Sequence, residues 1–152
     1  MKLALDTDVA IEVIRGRRPH YGEWLQDAEM AGATLHLSTI VVHELMFGAM
    51  ASARPADHMR LVEQLATRME IHPWASDDAM EAARIRADLK TAGSAVGAMD
   101  VLIAGQAVSQ GWTLVTGNVR EFIRIPQLDI LSWADPAGPL DRRALQGRFP
   151  TK

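Results

Sequence analysis

The sequence predicts a single α/β domain in three layers, a mostly parallel sheet of five strands with helices on both faces. Short apolar runs of strand length alternate along the chain with stretches of helical periodicity, the pattern that builds parallel sheets. A length of 152 residues is that of one domain, and 48% of them are hydrophobic, enough for a sizeable core. No internal repeat or low-complexity segment argues for a repeat array.

Taken in order, Lys2 to Leu5 reads as a buried strand ending at Asp6, with Asp8 as the cap of a helix from Val9 to about Arg15 that stops at Gly16. A basic loop (Arg15, Arg17, Arg18, His20) surrounds Pro19. Tyr21 to Ala31 is helical, with Trp24, Leu25 and Ala28 on one face and Gly32 as its stop. Thr34 to Leu37 is a second strand. Ser38 or Thr39 caps a helix to about Ala53, with Ile40, Leu45, Phe47 and Met50 available for burial. Ala56 to Arg68 is amphipathic (Met59, Leu61, Val62, Leu65), and Met69 to His72 is a short strand. A long helix from Ser76 through Lys90 ends at Gly93, and Ala98 to Ser109 is the most apolar helix. Thr113 to Val115 and Leu128 to Trp133 complete the strands. Periodicity is lost after residue 134, so residues 1–134 are expected to form the domain and 135–152 a loose or partner-ordered tail.

Composition removes several chemistries. There is no cysteine, which excludes disulfides, thiolate metal sites and a cysteine nucleophile, and fits a reducing compartment. The start, MKLALDTDV, has no signal-peptide pattern, and no apolar run reaches the ~18 residues of a membrane span. The expectation is a soluble, cytoplasmic protein with no membrane partner. A net charge of −3 gives no bulk attraction for nucleic acid, so an RNA partner requires local arginines and bound cations.

In a parallel sheet, ligands bind beyond the carboxyl ends of the strands. Asp6 ends the first strand, Glu44 follows the second, Asp100 begins the helix before the fourth, and Thr116, Asn118 and Glu121 follow the fourth. All fall on one edge. Two carboxylates ~5 Å apart at an effective dielectric near 20 repel by about 3 kcal/mol, so such a cluster calls for bound protons or a cation. Oxygen-only ligands favour Mg²⁺ or Mn²⁺ over zinc, and such ions serve phosphodiester hydrolysis.

Four segments, LDTDV (5–9), VHELMFG (42–48), AMDVLIAGQA (98–107) and LVTGNVREF (114–122), resemble the signatures of PIN-domain nucleases, and more narrowly of the VapC-type toxins of toxin–antitoxin modules. The resemblance runs from residue 2 to about 133. It implies a PIN-like fold and a Mg²⁺- or Mn²⁺-dependent endoribonuclease in which Asp6, Glu44 and Asp100 hold the metal. Thr116 and Asn118 would shape the site's edge, and the family's fourth acid would fall at Glu121, with a longer side chain than the usual aspartate. Asp8, where the family more often has Asn or Ser, is either a helix cap or a water-mediated metal contact. The resemblance also implies an RNA substrate, a homodimer and a cognate antitoxin, for which Trp24, Phe47 and Met50 are candidate contacts.

Two other readings stand beside this one. Asp6-Thr7-Asp8 after an apolar strand is the D-x-D of haloacid-dehalogenase-type phosphatases, but Ala10 replaces the expected hydroxyl or valine and no later G-D-x-x-x-D run exists. A non-catalytic PIN-like binding module would gain nothing from clustered like charge. Arg15, Arg17 and Arg18 are placed to guide a phosphate backbone or simply form a solvated loop. Arg84 and Arg86 either face a partner or pair along their own helix.

Overall fold

The computed structural model describes residues 1–150. Its centre is β1 (Lys2–Leu5), whose last three residues are buried. It lies between β2 (Thr34–Ser38) and β4 (Thr113–Val115), with Ala4 opposite both His36 and Leu114. A central strand covered on both faces has no solvent side, so its apolar run is unbroken. β3 (Glu70–His72) pairs with β2 at one edge. β5 (Asp129–Ser132) pairs with β4, and the two-residue β6 (Leu140–Asp141) closes the other edge. The order is β3-β2-β1-β4-β5-β6, parallel except for β6.

The helices follow the expected order with shifted ends. α1 (Thr7–Arg15) begins two residues early because Asp6, not Asp8, is its N-cap, accepting the Thr7 N–H at 2.8 Å. α2 (Pro19–Met30) starts on its proline, whose fixed φ and missing N–H suit a first helical turn. α3 (Thr39–Met50) is capped by Ser38 through the Ile40 N–H, and α4 (Pro55–Ala66) again opens on proline. α5 (Ser76–Thr91) and α6 (Ala98–Gln110) form the tightest helix contact. A Cβ on Gly105 would fall 2.5 Å from that of Ala82, so only glycine fits there.

Helices and sheet share one core, in which Leu5, Leu37, Leu114 and Ile130 of the sheet meet Val9, Leu25, Val41, Ile85, Ile103 and Phe122. The fully buried Asp78 survives there because it accepts from Ala75 N–H and from the amides of Gln106 and Gln110. Among the described residues no helix is long and apolar enough to cross a membrane.

Three expectations need correction. The sheet has six strands rather than five. The stretch from Asp135, expected to be loose or partner-ordered, forms β6 and α8 (Arg142–Arg148) over residues 140–148 against its own chain. Leu145 is buried there, and the Arg142 guanidinium donates to the carbonyls of Leu128 and Ile123, so the segment is tied down by one apolar anchor and one cation. Neither has a periodic signature in a stretch this short. Finally, of the α3 residues available for burial Leu45 is buried, with Val41 and Ala49, whereas Phe47 and Met50 are 68% and 57% exposed, as their reading as partner contacts requires. Trp24 is half-buried, edge-on to Trp133 and His20, and contributes packing more than open surface.

Candidate active site

The ends of β1 and β4 lie side by side, and the chain leaves both toward the same edge. Asp6 follows β1 and its N–H donates to the Val115 carbonyl, which carries the strand pairing one residue beyond β1. Its side chain does two jobs. Oδ1 accepts the Thr7 N–H at the start of α1, and Oδ2 accepts the Thr116 hydroxyl at 2.7 Å. Thr116, fully buried, in turn accepts the Asn118 N–H at 3.0 Å. Asn118 reaches across to Asp100, donating through Nδ2 at 3.1 Å. A continuous chain of hydrogen bonds thus joins Asp6, Thr116, Asn118 and Asp100.

Asp100 stands in the first turn of α6, where the helix dipole favours an acid. Glu121, on the single-turn α7 (Val119–Phe122), faces it and accepts the Gly97 N–H at 3.0 Å. Gly97 lies against both carboxylates, and a Cβ there would make ordinary contacts of 3.4 Å with Asp100 and 3.8 Å with Glu121. Glu44, on α3, is held by the Thr7 hydroxyl at 2.8 Å. Asp8 does not cap α1 from outside. It accepts the Gly117 N–H at 3.1 Å and pins the loop after β4 against α1. A Cβ at Gly117 would sit 2.4 Å from that carboxylate oxygen, so a larger residue there would push the Asp8 side chain off the Gly117 N–H.

The six residues that the sequence singled out, Asp6, Glu44, Asp100, Thr116, Asn118 and Glu121, therefore lie on one edge. Thr7, Gly97 and Gly117 are positioning groups that sequence reasoning missed. Thr7 had a signal, its place between two acids in LDTDV. The glycines had none beyond being small residues beside Ala98 and Asn118.

The electrostatics are lopsided. Burial, then the charge of Asp8 and more weakly that of Asp100, pushes the Asp6 carboxyl up to about 7 against the pull of the Thr116 and Thr7 hydrogen bonds. Burial, then Glu121 and Glu44, pushes Asp100 up to about 6. Among the described residues no Lys or Arg forms an ion pair with Asp6, Asp8, Glu44, Asp100 or Glu121. The charge is uncompensated.

The donor set is all carboxylate and hydroxyl oxygen, which suits a hard divalent cation. No three of these acids bring ligand atoms within 4.8 Å of one another. The spacing fits an ion that keeps part of its water shell, as Mg²⁺ does, better than one needing a closed protein cage. A groove of about 480 Å³ lies between α1, α3 and α4, with Glu44 in its wall beside Arg15, Arg17 and Leu61. Arg84 is engaged along its own helix with Glu81 and Asp88.

Comparison with known proteins identifies the family. The family model described as PIN domain matches residues 3–128. A tRNA(fMet)-specific endonuclease VapC of Salmonella typhimurium is 35% identical over 88% of this chain and 98% of its own length. Ribonuclease VapC2 of Haemophilus influenzae is 34% identical over the same shares. The crystal structure of DNA-bound VapBC from Salmonella typhimurium superposes with a TM-score of 0.82 at 34% identity, covering 88% of this chain and 99% of that one. VapBC2 from Rickettsia felis, bound to a DNA fragment from its promoter, gives 0.83 at 28% identity with the same coverage. The phosphatase reading fails on both counts, since the second aspartate of its D-x-D serves the Gly117 N–H and the matching family is another one. The chain belongs to the PIN-domain family and, within it, to the VapC group.

Proposed function

We propose that the chain is a metal-dependent endoribonuclease, the toxin of a toxin–antitoxin pair, with Asp6, Glu44 and Asp100 as its catalytic metal-binding acids. The observation that carries this reading is the convergence of Asp6, Glu44, Asp100 and Glu121 on one edge where only hydroxyl and amide donors reach them. Burial that raises the pKa of Asp6 and Asp100 supports it. A fold that leaves acidic oxygens so disposed holds them ready for a cation. Asp6, Glu44 and Asp100 would hold Mg²⁺ or Mn²⁺, with Glu121 in support. When bound, the ion supplies charge neutralisation at a phosphodiester and lowers the pKa of water.

The chain's own residues do the positioning. The Thr116 hydroxyl and Thr7 N–H fix the Asp6 carboxylate, and Asn118 fixes that of Asp100. The Thr7 hydroxyl turns Glu44 toward the same edge from the α3 side. Arg15 and Arg17, in the wall of the groove that contains Glu44, offer the positive charge that the acids lack to a phosphate backbone. The Salmonella relative is named for cleavage of tRNA(fMet), which makes transfer RNA the first substrate to try.

The relatives solved as VapBC pairs support an antitoxin as partner. The exposed Phe47 and Met50 are the contacts assigned to it, and a homodimeric toxin rests on the family resemblance alone. Co-purification with the antitoxin should weaken in Phe47→Ala, and unchanged capture removes that surface from the proposal. The decisive experiment is RNA cleavage by purified chain freed of antitoxin, in chelator and with Mg²⁺ or Mn²⁺ restored. Asp100→Asn should lose at least about 100-fold in rate while keeping its fold. Cleavage that persists in chelator, or that Asp100→Asn leaves intact, refutes the metal mechanism and favours a metal-free one, and absence of cleavage under every condition favours the non-catalytic module.

A further inference from the structure

A second cluster of ligating side chains lies on the sheet itself, outside the acidic edge. His36 of β2 and Glu70 of β3 are register partners, and His72 follows two residues on, so all three project from one face of two adjacent strands. His36 Nδ1 and His72 Nε2 are 2.9 Å apart, and Glu70 Oε2 is 3.6 Å from each. A tetrahedral ion with bonds of 2.0–2.1 Å needs ligand atoms about 3.3–3.4 Å apart. The mean edge of the triangle meets that requirement, and small rotations equalise its sides.

The surroundings match a metal site as well. The other nitrogen of His36, Nε2, lies 2.8 Å from the Thr34 hydroxyl. If that hydroxyl accepts the Nε2–H, the Nδ1 lone pair is left facing Glu70 and His72, the outer-shell arrangement that orients ligating histidines. Trp112 stacks on His36 at 5.2 Å and 15° and meets His72 edge-on at 4.9 Å, holding both rings. The small Ala4, register partner of His36 on the neighbouring strand, leaves room beside it. His36 is buried whereas Glu70 is exposed, so the cluster is closed from within and open toward water.

We propose that His36, Glu70 and His72 form a separate cation site that takes Zn²⁺, or a neighbouring late first-row divalent ion, with a fourth position open to solvent. Two imidazoles select such ions over Mg²⁺, which seeks oxygen. The ion ties the three-residue edge strand β3 to β2, fastening an edge held by three register pairs. The site has no part in the proposed cleavage chemistry and stands whether or not that reading holds.

The test is titration of chelator-treated protein with Zn²⁺ by calorimetry, together with thermal unfolding and the visible spectrum of the Co²⁺ form. The wild type should bind one equivalent at this cluster, unfold several degrees higher, and give a Co²⁺ spectrum of tetrahedral type. His72→Gln and Glu70→Gln remove outward-facing groups and should keep the far-ultraviolet circular dichroism of the wild type. Each should bind Zn²⁺ at least about tenfold more weakly. Asp6→Asn should bind it as the wild type does. Absence of stoichiometric Zn²⁺ binding, undiminished binding in His72→Gln, or loss of binding in Asp6→Asn alone overturns the proposal.

Discussion

Replacing Asp6 by Asn should make the metal-free protein more stable. The carboxyl is 4% exposed and is pushed from its ordinary 3.8 up to about 7, mainly by burial and then by Asp8. A group whose folded pKa is raised favours the folded state while protonated. That contribution is complete below about 3.8 and is lost as pH rises through about 7. Near pH 8 the wild type must carry the charge in the fold, at a cost of about 4 kcal/mol if Asp6 titrated alone. Sharing with Asp8 and Asp100 reduces this to roughly 2–4 kcal/mol. The side-chain amide that replaces the carboxyl can still accept the Thr7 N–H and face the Thr116 hydroxyl, so cap and packing survive. Thermal unfolding in chelator near pH 8 should show Asp6→Asn about 5–15 °C above wild type, converging toward it near pH 4. Adding Mg²⁺ should raise the wild type by mass action and leave Asp6→Asn unmoved. An Asp6→Asn protein no more stable than wild type near pH 8, or equally responsive to Mg²⁺, refutes the reasoning.

Thr116→Val removes the hydroxyl that fixes Asp6 and receives the Asn118 N–H, and should cost about 10- to 100-fold in RNA cleavage with little change in overall fold, measured by initial rates at saturating Mg²⁺. Gly105→Ala places a methyl 2.5 Å from Ala82 and should destabilise by about 1–3 kcal/mol in urea unfolding through separation of α5 and α6. Leu145→Ala leaves a hole where the C-terminal helix is anchored and should cost about 2–5 kcal/mol, and a loss near zero would show that α8 is not part of the cooperative unit.

The central strand and the acid positions were legible because local and global signals agree. Leu3 to Leu5 is an apolar run that a parallel sheet buries on both faces, and the rule that sites form beyond strand ends then selects Asp6 and Thr116. The N-cap of α1 was misjudged by two residues because Asp6 and Asp8 are both good caps, and only the neighbouring strand decides between them. Asp8 is drawn to the Gly117 N–H, 109 positions away, which no local rule can foresee. An apolar helix offers several faces to the core, so Phe47 and Met50 are open to either burial or partner contact from sequence, and the core takes the face bearing Val41, Leu45 and Ala49. β6 and α8 escaped because two paired residues and one buried leucine leave no period to detect. The His36–Glu70–His72 cluster was invisible for a different reason. Its members belong to two strands whose pairing register, not their spacing in the chain, brings them together.

The bareness of the acidic edge is a matter of distribution rather than supply. The chain has 16 Lys and Arg for 19 Asp and Glu, so most of its acids had a partner available. Elsewhere the pairing is done: Arg54 and Arg60 with Asp57, Arg68 with Glu29, Arg84 with Glu81 and Asp88, Arg148 with Asp135. These are surface pairs, each worth little because water already screens the charges. The acids with the greatest need, Asp6 and Asp100, receive only hydroxyl and amide donors, which orient a carboxylate without neutralising it. A chain selected only for stability would place its arginines the other way round. The arrangement makes sense if the missing positive charge arrives with a ligand, since a resident arginine would occupy the oxygens that a cation needs and would repel it as well.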